Sequence, residues 1–184
     1  MQINTIGIAG YKGCGKSLVA DYLCQARKFE LLKFADPLKD MLRAIGLSDS
    51  HIEGDKKEVP LSLLCGKSAR HAMQTLGTDW GRGMLGDSLW VNLWTDRARV
   101  MHQFDDKVVA DDVRFENEID AIHQLGGIVI YVRRGGCGSD GHASEDAGAL
   151  EELCDFSFEN QGPALNLLTE IEHTIFAAKQ KSAA

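Results

Sequence analysis

Residues 10–17 read Gly10-Tyr11-Lys12-Gly13-Cys14-Gly15-Lys16-Ser17, a full match to the pattern G-x-x-x-x-G-K-[ST]. Before them, residues 3–9 are a short apolar run with the character of a buried strand, and after them a helical pattern runs over 16–27. Strand, glycine loop and helix in that order are the setting in which this string works as a phosphate-binding P-loop. Gly10, Gly13 and Gly15 let the backbone curl until successive N–H groups point inward at phosphate oxygens, and the helix dipole adds positive potential there. A glycine turn that merely joins a strand to a helix has no need of the Lys-Ser pair that closes the motif.

The loop's expected ligand is therefore a nucleoside triphosphate, ATP, held by Gly10, Lys12, Gly13, Cys14, Gly15, Lys16, Ser17 and Leu18. Lys16 would reach the β- and γ-phosphates and act catalytically, and the Ser17 hydroxyl would ligate Mg2+. Such a metal needs a carboxylate, usually at the end of a neighbouring apolar strand. Val108-Val109-Ala110-Asp111-Asp112 offers two, and side-chain alternation does not choose between Asp111 and Asp112 without the strand's end point. Phosphoryl transfer also calls for cations around the migrating group. Arg133 and Arg134 follow a buried strand and precede a loop, 135–141, in which four of seven residues are glycine, the place for a closing lid. A solvated arginine pair at a strand end is the plainer alternative.

Working outward, short strands fit 30–34, 107–110, 128–132 and 156–158, and helical patterns fit 36–45, 68–76, 88–104, 116–125 and 164–179. Asp36-Pro37 reads as an N-cap followed by proline in the first turn. In 88–104 the apolar residues, Trp90 and Trp94 among them, recur at three- and four-residue steps, an ordinary core-facing stripe. Residues 47–67 are polar and broken by Gly54, Pro60 and Gly66, and read as an exposed excursion. Strands alternating with helices predict a three-layer α/β domain around a mostly parallel five-stranded sheet, with all of 1–184 in a single domain.

Composition sets the outer bounds. The chain has 184 residues, 20 Lys and Arg against 27 Asp and Glu, and 19 glycines with only 3 prolines. An acidic balance without a basic run argues against a nucleic-acid polymer or an anionic membrane as partner. No apolar stretch is long enough for a membrane span, and the first nine residues lack the basic start of a signal peptide, so a cytoplasmic protein is expected. Five scattered cysteines without a C-x-x-C pair suggest reduced thiols, not a disulfide framework or a zinc site. Cys14 stands apart, because a modified thiol there would obstruct the loop.

Four further strings narrow the reading: Phe34-Ala35-Asp36-Pro37-Leu38-Lys39; Arg70 with Met73-Gln74-Thr75-Leu76-Gly77-Thr78-Asp79-Trp80-Gly81-Arg82; Asp112-Val113-Arg114-Phe115-Glu116-Asn117-Glu118; and His142-Ala143-Ser144-Glu145. With the P-loop, and in this order, they resemble bacteriophage-type deoxynucleoside monophosphate kinases over most of the chain. That resemblance implies a P-loop kinase fold with a helical acceptor-binding region near 34–104 and a lid near 133–150. It implies MgATP and a deoxynucleoside monophosphate as substrates, and the host cytoplasm as location if the gene is phage-borne. By position, Lys39, Arg70 and Arg82 would anchor the acceptor's phosphate and sugar. Phe34 would pack on its base or belong to the core, and Gln74 would hydrogen-bond to the base or face another helix. Asp112 and Arg133 would border the acceptor site, and His142, Ser144 and Glu145 would line it from the lid. Asp111 stands where the family usually has a small hydroxyl residue.

The expected function is thus ATP-dependent phosphorylation of deoxynucleoside monophosphates, with a homodimer compatible but not indicated. Two alternatives stay open: a P-loop kinase for a ribonucleotide or dephospho-coenzyme A, and a nucleotide-binding regulatory protein without kinase activity.

Overall fold

The computed structural model describes residues 3–138 and 148–177. In chain order the elements are β1 (Thr5–Ala9), α1 (Lys16–Arg27), β2 (Phe29–Leu31), α2 (Asp36–Ala44), α3 (Asp49–Ile52), β3 (Pro60–Leu61), β4 (Lys67–Ser68), α4 (Ala69–Gln74), α5 (Leu89–Gln103), β5 (Lys107–Val113), α6 (Glu116–Gln124), β6 (Ile128–Arg133), β7 (Phe156–Glu159) and α7 (Ala164–Ile171). The backbone divides into two compact units: Met1–Leu32 with Ala98–Ala184, and Lys33–Arg97.

The first unit is built on a five-stranded sheet in the order β2-β5-β1-β6-β7, every pairing parallel. Parallel strands covered on both faces read as unbroken apolar runs. β1 is buried at all five positions, and β5 and β6 are nearly so, while β2 and β7 at the edges are partly exposed. On one face Ile6, Ile8, Val109, Ile130, Val132 and Phe158 form a core with Val19, Ala20 and Leu23 of α1 and with Leu167 and Ile171 of α7. On the other face Gly7 makes room for α6: a Cβ there would stand 2.5 Å from the Ile122 side chain. The chain leaves β1 toward β2, returns through β5 and then crosses to β6, so the connections diverge at the carboxyl end of β1. That divergence is where open α/β sheets bind ligands, and the glycine loop lies there.

One irregularity decides the site. Gly7 pairs with Ala110 but Ala9 pairs with Val113, so β5 carries an extra residue at Asp111-Asp112. The strand runs three residues past the expected 107–110, and both aspartates lie inside it. A bulge interrupts alternation, which is why counting along the sequence does not say which carboxylate faces the loop.

The second unit has its own apolar cluster, Leu42, Leu47, Ile52 and Ala69, bordered by Leu61, Leu64, Met73 and Leu76. The stretch 47–67, expected as an exposed excursion, therefore supplies two core residues, Leu47 and Ile52, and the first strand of the antiparallel pair β3-β4. The helical pattern expected over 68–76 does not stop there: after α4 the chain winds on as a wide π-helical segment, Thr75–Leu85. Trp90 explains it: its Nε1–H donates to the Gly77 carbonyl at 2.7 Å, and Gly81 lies so close that a Cβ would meet the indole at 2.5 Å. Asp36 is the first helical residue of α2, not its cap. Its carboxylate turns back to accept the Lys33 N–H at 2.9 Å and closes the turn before the helix.

Candidate functional site: a phosphate cradle and a cationic cluster

In the first unit the loop takes the conformation its glycines allow. Gly10, Gly13 and Gly15 have φ of 134°, 82° and 112°, values that L side chains rarely adopt. Space is as restrictive as the dihedrals. A Cβ on Gly10 would collide with the Val132 carbonyl and lie 2.9 Å from the Cys14 sulfur, and one on Gly15 would lie 2.5 Å from the Asn160 amide. Asn160 is a loop-holding residue that the motif does not reveal. It follows β7, its N–H donates to the Arg133 carbonyl at 2.7 Å, and its Nδ2 donates to the Cys14 carbonyl at 2.8 Å. The far edge of the sheet thereby fixes the middle of the loop. The only sequence signal is a polar residue directly after the last strand, level with the mouth of the sheet.

Lys16 Nζ donates to the carbonyls of Gly10 at 2.6 Å and Tyr11 at 2.8 Å, so its charge is held over the loop's own entrance. Ser17 Oγ donates to Asp111 Oδ2 at 3.0 Å. Asp111 is buried, and the hydroxyl–carboxylate pair joins the head of α1 to the β5 bulge. Asp112 is half-buried beside it. Lys12 and Gly13 are exposed, and Leu18 packs against the sheet core. Cys14 is buried, and burial pushes its thiol up more than the nearby Lys16 charge pulls it down. It is a packing residue held as a neutral thiol, not a reactive one.

Arg133 and Arg134, at the end of β6, are both exposed, and Arg133 Nη1 lies 3.2 Å from Glu151 Oε1. In the next string, Glu118 Oε2 accepts the N–H groups of Arg114 at 2.7 Å and Phe115 at 3.2 Å, so that part of the motif caps α6.

The second unit holds the other expected side chains. Lys39 Nζ lies 2.7 Å from Glu53 Oε1, Arg70 Nε is bonded to Glu58 Oε1, and Arg82 Nη1 donates to the Asp87 carbonyl at 2.8 Å and to its Oδ1 at 3.2 Å. Lys39 and Arg70 belong to one charged cluster with Lys57: the Arg70 N–H donates to the Lys57 carbonyl at 2.9 Å, and Lys57 Nζ lies 3.8 Å from Glu53 Oε2. Phe34 is buried and stacked on Trp94, with ring centroids 4.4 Å apart, so one face of its ring is already covered. Gln74 is half-buried at the end of α4. His142, Ser144 and Glu145 lie outside the described residues.

Among the described residues no group of three or more His, Cys, Asp or Glu side chains is placed to hold a metal. Mg2+ does not need one: it keeps water and substrate phosphates in its shell and takes one or two hard oxygen ligands from protein. The Ser17 hydroxyl and Asp111 carboxylate fit that demand. No helix among the described residues is long and apolar enough to cross a membrane.

The fold and the loop together are those of the P-loop kinase fold class. Solved structures share the fold: the chain is similar to shikimate kinase from Acinetobacter baumannii, TM-score 0.51 at 16% identity over 97% of this chain and 96% of that one. It is also similar to a gluconokinase from Sinorhizobium meliloti 1021, TM-score 0.50 at 11% identity over 98% of each chain. The narrower assignment comes from sequence. Residues 57–171 match the family model described as deoxynucleotide monophosphate kinase. The chain is 39% identical over 153 residues, 76% of its length and 79% of the relative's, to a protein of Acanthamoeba polyphaga mimivirus assigned by name as a deoxynucleotide monophosphate kinase. The chain belongs to the deoxynucleotide monophosphate kinase family and is a phosphotransferase.

Proposed function

We propose that the chain transfers the γ-phosphoryl group of ATP, with Mg2+, to a deoxynucleoside 5′-monophosphate and releases ADP and the deoxynucleoside diphosphate. The observation that carries the catalytic part is the contact of Ser17 with Asp111 beside the Lys16 ammonium, at the carboxyl end of the central strands. Family membership supports the acceptor.

The acceptor brings its own nucleophile. Its phosphate oxygen is largely anionic at neutral pH, because the second phosphate pKa is near ~6, so the chain has no need of a strong general base. Its residues instead position groups and match charge. The loop N–H groups hold the donor's phosphates. Lys16 exchanges the Gly10 and Tyr11 carbonyls for phosphate oxygens, and Ser17 and Asp111 would hold Mg2+, which would neutralise charge on the donor's phosphates. Arg133 and Arg134 balance the charge on the migrating group, with Arg133 leaving Glu151 to do so. Residues 133–150 act as the lid that keeps water from the γ-phosphate, and Lys39, Arg70 and Arg82 take the acceptor.

An ADP-release assay over a panel of acceptors tests this reading. Deoxynucleoside monophosphates should stimulate release far more than ribonucleotides or dephospho-coenzyme A. Release independent of any acceptor, or a preference for one of the other two classes, refutes it.

A further inference from the structure

The ion pairs of the second unit share an asymmetry. The Lys39 side chain is 10% exposed and its partner Glu53 41%; Arg70 is 20% exposed and Glu58 65%. In both pairs the cation is fixed in the protein and the carboxylate lies on the water side. The cluster is also crowded with positive charge. Burial depresses the Lys57 ammonium; Glu53 opposes that, and the charges of Lys39, Arg70 and Lys33 add to it. Burial alone would raise the Glu53 carboxyl, but the Lys39 hydrogen bond and charge, with Lys33 and Lys57, hold it below its ordinary value. Lys39, Lys33 and Lys57 thus act on Glu53, and Arg70 holds Glu58, in a chain whose net charge is −7.

A phosphate monoester carries nearly two negative charges and three acceptor oxygens, the charge of two carboxylates on one centre. It can accept charge-assisted hydrogen bonds from several of these cations together, whereas Glu53 and Glu58 meet them from separate chain positions. We propose that Glu53 and Glu58 are resident counter-ions which the acceptor's monophosphate displaces, and that Lys57 joins Lys39 and Arg70 as a ligand of that phosphate. The inference rests on the deoxynucleotide reading above. It adds to it a phosphate ligand and a built-in competitor for the acceptor: the carboxylates keep the buried and half-buried cations neutralised in the empty enzyme and lower acceptor affinity by the same contacts.

The test uses the full chain and measures binding of the four common deoxynucleoside monophosphates, and of the unphosphorylated deoxynucleosides, by calorimetry without ATP, alongside KM values. E53Q should tighten monophosphate binding about three- to tenfold, and K57M should weaken it about tenfold. Neither should alter deoxynucleoside binding or the KM for ATP. E58Q, at a more exposed carboxylate, is the second variant, with the same expectation as E53Q, should E53Q melt below the assay temperature. Unchanged or weaker monophosphate binding in the Gln variants, or unchanged binding in K57M, overturns the inference while a wild-type enzyme active on deoxynucleotides leaves the functional reading intact. A wild-type chain that neither binds nor phosphorylates any of the four overturns both.

Discussion

The two units handle anions by different physics. In the first, the phosphate cradle is backbone: three glycines with positive φ, N–H groups at the head of α1 and an asparagine that fixes the loop from the edge of the sheet. In the second, the candidate anion ligands are long side chains, each seated on a carboxylate more exposed than itself. Arg82 repeats the pattern, 7% exposed against 76% for Asp87. Ion pairs of the first unit run the other way: in Arg27–Glu172 and Arg133–Glu151 the arginine is the more exposed partner. A cradle of N–H groups needs no counter-ion when empty, because each group carries only a fractional charge. A cluster of buried ammonium and guanidinium groups does need one, and the exposed carboxylates fill that need.

Substitutions in the two units should separate the two strategies. The largest effect is expected from Lys16→Ala, which removes the ammonium held over the entrance of the cradle. Turnover should fall by about 10²- to 10³-fold with little change in melting temperature, since Lys16 Nζ bonds to the Gly10 and Tyr11 carbonyls at the mouth of the loop. Near-normal turnover in steady-state assays would mean that the cradle is not the donor site.

Next comes Gly81→Ala in the second unit. The added Cβ would meet three atoms of the Trp90 indole at 2.5–2.6 Å, and overpacking of this kind costs about 1–3 kcal/mol. Urea unfolding should show the loss, and hydrogen exchange should place the reduced protection among residues 33–97. Unchanged stability would show that the π-helical segment does not depend on the indole.

Asn160→Ala should have the smallest effect, about 1–2 kcal/mol of stability from a buried carbonyl that loses its donor. Its more telling consequence is kinetic: the KM for ATP should rise while the KM for the acceptor stays unchanged. An equal rise in both would contradict the division of labour between the units.

Much of the first unit was legible in the sequence. The five strands, the loop and α1 follow from apolar runs and one motif, because a parallel sheet covered on both faces demands continuous burial and a P-loop demands glycines at fixed spacing. The strings around Asp112 and Arg70 pointed to the family. Two aspects of the site were not legible. Asp111 rather than Asp112 meets Ser17 because β5 bulges between them, and a bulge leaves no mark in an alternating pattern. Asn160 meets Cys14 across 146 residues, a distance over which no local rule operates.

The sequence by itself determined whatever depends on neighbours along the chain: the strand–loop–helix cradle, the helical faces, and the tryptophan stripe whose Trp94 is fully buried. Only the tertiary structure decided which carboxylate stands beside Ser17, which asparagine holds the loop, and which acids sit on Lys39, Arg70 and Arg82. Backbone geometry is set by residues next to one another and so is written as a motif. Charge pairing depends on distance in space, and Glu53 and Glu58 come to their cations only once α2, α3 and α4 have folded around Leu42, Ile52 and Ala69.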